Sequence, residues 1–571
     1  MENPEIAQAF DETADLLEIQ AANQFRVRAY RSAARTIRDL AEPLADMVRD
    51  PKRKLDDLPS IGKDLAGKIT TGLRTGRFPF LDELRQQVPA GLRDLMKIPG
   101  LGPKKARVLF NQLHIDSTAK LLRAVQQHRL RELKGFGART EENILQGLSN
   151  IEQITRRVYL SDAKIYADAV TRFLAATPGV QHVDVAGSYR RRKETVGDLD
   201  ILVTCADAGR VMDRLAAFGD VAEVLARGPT KMTVRLRTGL QMDLRVVPEE
   251  SYGAALLYFT GSKAHNILLR RRALQRHLKI NEYGVFRGQR LIAGKTEEEV
   301  YAAVGVPWIP PELREDRGEI DKALAGELPL LIELEDICGD LHMHTTATDG
   351  RASLSEMVQA AAKRRYGYIA ITDHSKRVTM ARGLDARRLR QHWKKIERLQ
   401  AQTRGLAILK GVELDILEDG RMDLPDDVLA EADWVVASIH YGQNQSREKI
   451  TQRLLNAIRH PHVHAIGHPT GRLIGERKGY EFDLETILKA AADYGCMMEL
   501  NCQPSRLDLD DVTLMAAKAH GVKIVLGTDA HAVEELAFME LGISQARRAG
   551  LEPSDVANAQ PLRRFRQMLK Q

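Results

Sequence analysis

The sequence predicts a multidomain chain: helical modules first, then an α+β unit, then an α/β barrel. Three observations carry this. Glycine-punctuated turns recur among segments of helical apolar spacing through the first 150 residues. A strand then bears aspartates two residues apart, Asp198 and Asp200, with Asp243 on a later hairpin. After residue 335, short apolar segments repeatedly end in His, Asp or Glu and lead into amphipathic helices, the pattern of a parallel sheet closed as a barrel.

With 571 residues the chain is too long for one core. At 43% hydrophobic and 29% charged residues it is ordinary globular protein. No apolar run reaches membrane-spanning length, and the acidic opening MENPEIAQAF is unlike a signal peptide. Cys205, Cys338, Cys496 and Cys502 form no C-x-x-C pair, which predicts reduced thiols and a cytoplasmic setting. Residues 1–334 hold 52 Lys+Arg against 45 Asp+Glu, whereas residues 335–571 hold 33 of each. The whole +7 surplus therefore lies in the first part, where it predicts a polyanionic partner.

Residues 1–80 read as helices, with apolar positions at Ile6, Phe10, Ala14 and Leu17 and again at Ala33, Ile37 and Leu40. Leu58–Lys63 opens a further helix. Related units recur at Ile98–Lys105 and, more weakly, at Leu133–Arg139. Each resembles a helix–hairpin–helix, whose glycine turn brings backbone N–H groups to a DNA phosphate at a helix N-terminus. The first copy has Ser60 where glycine is common.

Val185–Val203 reads as strand, Gly-Ser turn, basic segment and second strand. Asp198 and Asp200 fall on one face with Leu199 and Ile201 behind them. Asp243 lies on a hairpin turning at Thr238-Gly239, opposite in facing to Met242 and Leu244. Three carboxylates suit two divalent ions and nucleotidyl transfer. Gly187-Ser188 and Arg190, Arg191 and Arg192 suit phosphate. The segment from Val306 through PWIPPELREDRGEI reads as a strap, with Leu324–Leu334 as a short helix beyond it.

In the last part, strands are predicted to end at His342 and His344, with Asp349 just beyond, and at His374, Glu413, His440, His468, Asp529 and His531. Imidazoles with carboxylates suit Zn²⁺, Mn²⁺ or Fe²⁺ and water attack on a phosphoester. His277, His392, His460 and His520 lie off this pattern and read as ordinary structural residues. Arg506 reads equally as a phosphate contact or a structural salt bridge.

The segments G-S-Y-R-R (from Gly187), V-G-D-L-D-I-L-V (from Val196), Tyr258–Ser262 and Asn281-Glu282-Tyr283 resemble a family X DNA polymerase of the polymerase beta type. That likeness runs to about Trp308. The remainder is similar to a polymerase-and-histidinol-phosphatase (PHP) domain, whose nine ligands all find a match and imply three ions. The resemblance implies domains at 1–80, 81–158, 159–250 (palm), 251–316 (nucleotide selection) and 335–571 (PHP), with a linker at 317–334.

For the palm, the resemblance implies Mg²⁺ or Mn²⁺ on the three aspartates. Nucleotide contacts would come from Gly187, Ser188, Arg191, Gly197, Tyr258, Phe259, Gly261, Lys263, Asn266 and Arg270. Lys263 stands where polymerase beta has an acid. DNA contacts are implied for Arg26, Tyr30, Ile61, Gly62, Gly100, Gly102, Lys104, Lys105, Gly135 and Gly137, with a monovalent cation at the hairpin turns. Lys68 aligns with a Schiff-base lysine, and a phosphate contact is the competing role. The implied activity is gap-filling DNA synthesis on 5′-phosphorylated gapped duplex from dNTPs, with 3′→5′ exonuclease, 3′-end trimming and abasic-site cleavage, by a monomer without membrane contact. Two other readings are a nuclease that uses the polymerase core as a clamp and an end-bridging scaffold.

Overall fold

In the computed structural model the described residues are 3–38, 40, 44–49, 53–88, 101–133 and 157–569, with single positions 92, 95, 98, 136, 137, 140, 141 and 144. The chain divides into two compact units, Met1–Arg157 and Val158–Gln571.

The first unit is helical over its described residues, with helices that include Asn3–Ile19, Gln24–Arg38, Lys63–Thr75, Pro79–Gln87 and Pro103–Leu113. The apolar spacing read from the sequence buries Ile6, Phe10, Ala14, Leu17, Ala33 and Ile37 in one core. Phe10, Tyr30, Phe78 and Phe80 interlock there, the ring centroids of Phe10 and Tyr30 standing 5.4 Å apart.

The second unit begins with β1 (Val158–Tyr159), β2 (Val180–Val185), β3 (Thr195–Val196), β4 (Asp198–Cys205), β5 (Val221–Arg227), β6 (Lys231–Leu236) and β7 (Gln241–Val247). Five of these form a sheet in the order β2-β4-β7-β6-β5, in which β4 and β7 run parallel. One face of the sheet is apolar and takes the helix Leu160–Ala175, which buries Leu160, Ala163, Ala167, Val170 and Leu174. Helices Tyr252–Thr260 and Lys263–Gln275 follow, with the small sheet β8 (Lys279–Asn281), β9 (Gly284–Arg287) and β10 (Arg290–Ala293).

The barrel has seven parallel strands in sequential order: β11 (Gly339–Asp340), β12 (Tyr368–Ile371), β13 (Ala407–Asp415), β14 (Trp434–Ser438), β15 (Ala465–Ile466), β16 (Met497–Asn501) and β17 (Ile524–Gly527). Beyond β11 and β17 the chain closes on itself, because Asp529 N–H donates to His342 O and His344 N–H to Ala530 O, both at 2.8 Å. The sheet and barrel share apolar contacts: Leu507 and Leu541 of the barrel are buried in the same core as Leu199 and Met242. Tyr159 Oη donates to Ile474 O at 3.0 Å, and Arg472 pairs with Glu194 at 2.7 Å.

The structure sharpens three local readings. The turn read at Gly187-Ser188 is one helical turn, Gly187–Arg190. The short helix before the barrel is Glu319–Ala325, not Leu324–Leu334: Gly326 ends it in the left-handed region at φ 73°, and Pro329 follows. The sequence reading also passed over β16. Among the described residues no helix is long and apolar enough to cross a membrane.

Candidate active sites

The parallel register of β4 and β7 sets Asp200 directly opposite Asp243, and Asp198 opposite Gln241. Leu199, Ile201, Met242 and Leu244 are buried behind them, as strand alternation requires. Asp243 accepts from Thr233 Oγ1 at 2.5 Å and from Gln241 Nε2 at 2.8 Å, which fixes its rotamer. Burial, with Asp198 and Asp243 alongside, pushes the Asp200 carboxyl up to about 7. A buried carboxyl raised by burial and by two neighbouring carboxylates fits a site that takes divalent cations.

Gly187 is buried at φ 63°, against the Asp200 carboxylate. Ser188 lies on the same helical turn, and Gly197 is exposed just before Asp198. Arg190 forks onto Glu297 at 2.8 and 2.9 Å, so it serves structure rather than phosphate. Arg191 donates through Nε to Glu315 at 3.1 Å and through a guanidinium nitrogen to Thr260 O. Tyr258 and Phe259 meet edge to face at 5.0 Å, with Arg270 over the first ring and Arg245 over the second. Asn266 Nδ2 donates to Tyr258 O at 2.8 Å, Gly261 is buried, and Lys263 is exposed at the start of its helix.

In the barrel the expected ligands come together. His344, Asp349, His374 and His531 form one group, His342, His344 and Asp529 a second, and His374, Glu413 and His440 a third, each with ligand atoms within 4.8 Å of one another. His468 Nε2 stands 3.0 Å from Glu413 Oε1, completing the set of nine. Neither ring nitrogen of His344 makes a hydrogen bond, nor does His342 Nε2 or His468 Nδ1, although all are buried. Orphaned nitrogens and carboxylates packed this closely fit bound metal ions.

The charges are strongly coupled. Burial would raise Glu413, but His374, His440 and His342 hold it well below the carboxylate range. Burial would likewise lower His374, yet Glu413 and Asp349 push it up to about 10. His344, between His374 and His531, is drawn down to about 4 by burial and by those neighbours.

Glu499 on β16 is a carboxylate of this site that sequence reasoning missed. It accepts from His342 Nδ1 at 2.5 Å and from the His468 N–H at 2.6 Å, and Asn501 Nδ2 spans from it to Asp529. Such a partner fixes the tautomer and facing of a ligating imidazole. The signal available was the short apolar run Met497–Leu500 broken only by Glu499. His392, read as structural, pairs with Asp373 at 2.9 Å, and Asp373 in turn holds Thr345 and Thr348. His460 and His520 pair with Asp426 and Glu485.

In the first unit, Gly62 and Gly102 are exposed N-caps that leave the first-turn amides without a side-chain cap. Ser60 is held at φ 64°. Lys104 is exposed, Lys105 lies over the Phe136 ring, and Arg26 and Gly137 are exposed. Tyr30 and Ile61 are each 1% exposed and belong to the core. Lys68 pairs with Asp64 at 2.5 Å and lies over the Tyr30 and Phe80 rings. Burial opposes the charge on Lys68, but Asp64 and Tyr30 outweigh it and raise its pKa. Gly100 and Gly135 lie outside the described residues.

A strand-borne aspartate trio beside a Gly-Ser turn, joined to a histidine-rich barrel, defines a nucleotidyltransferase coupled to a metal-dependent phosphoesterase. Family models agree: a helix-hairpin-helix domain at residues 1–78, a SAM-like helix-hairpin-helix tandem at 92–150, DNA polymerase beta palm at 157–249, DNA polymerase beta thumb at 255–315 and a PHP domain at 340–503. The "DNA polymerase/3'-5' exonuclease PolX" of Bacillus subtilis (strain 168) is 39% identical over 100% of both chains. A probable phosphatase of Thermoanaerobacter sp. (strain X514) is 31% identical over 38% of this chain and 89% of its own, and one of Photobacterium profundum is 30% identical over 35% and 81%. The chain belongs to the family X DNA polymerases that carry a C-terminal PHP domain.

Proposed function

We propose that this polymerase fills short gaps in DNA repair and trims 3′ ends with its barrel. The pairing of Asp200 with Asp243 beside Gly187, in one unit with the complete nine-ligand barrel, supports the reading most directly. At the palm, Asp198, Asp200 and Asp243 would hold two Mg²⁺ or Mn²⁺, which would supply activation of the primer hydroxyl and a hold on the triphosphate. Gly187 and Ser188 present backbone amides to phosphate, and Tyr258 and Phe259 underlie the sugar. At the barrel, three Mn²⁺, Zn²⁺ or Fe²⁺ ions would supply a nucleophilic water for phosphodiester hydrolysis, including at abasic sites.

The open first turns after Gly62 and Gly102 suit the two flanks of a 5′-phosphorylated gap, with a monovalent cation at each hairpin. A Schiff-base nucleophile needs a free amine, and Lys68 is paired with Asp64 at 2.5 Å, so we assign it to phosphate contact rather than lyase chemistry. The protein acts as a monomer in the cytoplasm, and its finer division into domains follows the boundaries read from the sequence.

The test is a 5′-labelled primer at a one-nucleotide gap bearing a 5′-phosphate, in Mn²⁺, with and without dNTPs. Extension by one with dNTPs and shortening without them is the expected result. Asp200→Ala should abolish extension alone, and His344→Ala shortening alone. Shortening without any extension by the wild type would instead mean that the palm is only a clamp.

A further inference from the structure

Helix Met539–Arg548 belongs to the barrel, yet its last residue reaches the polymerase site. Arg548 is 3% exposed. One of its nitrogens donates both to the backbone carbonyl of Arg191 at 2.7 Å and to Glu315 Oε1 at 3.0 Å. Its other terminal nitrogen donates to Asp511 Oδ2 at 2.5 Å, and Arg317 anchors the same Asp511 oxygen at 3.0 Å. The Glu315 oxygen that Arg548 holds also accepts from Arg191 Nε at 3.1 Å, with Lys193 at 3.4 Å. Arg548 therefore fixes Arg191 twice, by its main chain and by the carboxylate that orients its guanidinium.

We propose that Arg548, a residue of the nuclease barrel, is a positioning residue of the polymerase site, setting Arg191 through Glu315 for the incoming triphosphate. The inference rests on the reading of Arg191 as a triphosphate contact. Three features support it beyond simple domain glue. Glu315 stays ionised, because Arg548, Lys193 and Arg191 outweigh burial and hold it at about 2. The guanidinium of Arg191 is pinned at Nε and at Thr260 O, so its facing is determined rather than averaged. The anchored residue lies four positions from Gly187, on the chain that would meet phosphate. A group pre-oriented in this way binds its anion without first losing rotamer freedom.

The experiment is steady-state one-nucleotide gap filling by the full chain, with exonuclease activity measured on the same preparations. Arg548→Met is expected to raise the dNTP KM roughly tenfold, the scale of one charge-assisted hydrogen bond, with kcat changed no more than about twofold. Exonuclease activity should be unaltered, which also shows that the variant has folded. Arg548→Lys should recover part of the KM, because the charge returns without the fork. Should Arg548→Met fail to fold, Glu315→Gln reads the same linkage from the strap and should raise KM by a similar factor. Arg191→Ala is the control. If it raises KM while Arg548→Met and Glu315→Gln do not, the inference is overturned and the role of Arg191 stands. If Arg191→Ala leaves KM unchanged, the reading of Arg191 itself falls, and the inference with it. A fall in KM for Glu315→Gln would also overturn the inference, since Glu315 would then be a competitor for Arg191.

Discussion

A Cβ on Gly187 would collide with Oδ2 of Asp200, well inside van der Waals contact. The Gly187 turn and the Asp200 carboxylate are thus in contact, and the absence of a side chain at 187 sets where that carboxylate can stand. The backbone there is also at φ 63°, which disfavours any L side chain. Gly187→Ala should therefore displace Asp200 and lower gap-filling kcat by roughly 100-fold, the usual effect of an ångström-scale misplacement. Exonuclease activity of the same protein should persist. Retention of near-normal synthesis would show that the turn does not set the carboxylate.

Glu499 touches two barrel ligands at once, His342 and His468. Glu499→Gln should weaken metal retention about 10- to 100-fold without removing any ligand. Metal content after dialysis reads this directly. Excess Mn²⁺ should restore exonuclease activity, and gap filling should be untouched throughout.

Ser60 occupies a backbone conformation that costs a non-glycine residue about 1–2 kcal/mol. Glycine relieves this but adds about 0.4–1 kcal/mol of unfolded-state entropy. The net gain for Ser60→Gly is about 0.5 kcal/mol, seen as roughly twofold slower hydrogen exchange at the amides following the hairpin. Faster exchange would mean that the serine hydroxyl contributes more than the strain costs.

Glu297 lies between Arg190 and Arg314, with Trp308 Nε1 donating to it at 3.1 Å. Burial would raise its pKa, but the two guanidinium groups pull it down to about 2 from the ordinary 4.5. A depressed carboxylate stabilises the fold above its unfolded pKa and loses that contribution as pH falls through its folded pKa. Here the loss runs from about pH 4.5 to about 2 and totals about 3 kcal/mol. In denaturant titrations, the stability gap between wild type and Glu297→Gln should shrink across that window. A gap independent of pH would assign the cost to packing alone.

What the sequence alone determined was whatever is local and periodic. Strand alternation suffices to place Asp198 and Asp200 on one face, and the hairpin at Thr238-Gly239 suffices to turn Asp243 away from Met242. Most of the barrel ligands were legible because they fall at or just beyond the ends of short apolar strands, the place where such folds gather their chemistry, although β13 runs two residues past Glu413. Glu499 was not legible, since the strand that carries it went unread and its meaning lies in a histidine 157 residues away. Arg191 shows the same limit. The family resemblance marks it as a phosphate residue, but its partners Glu315 and Arg548 lie on a strap and on the end of a barrel helix. Contacts made across separations of 124 and 357 residues leave no periodic trace in the chain. They are decided only when the apolar cores of sheet and barrel pack together and bring those charges out of water.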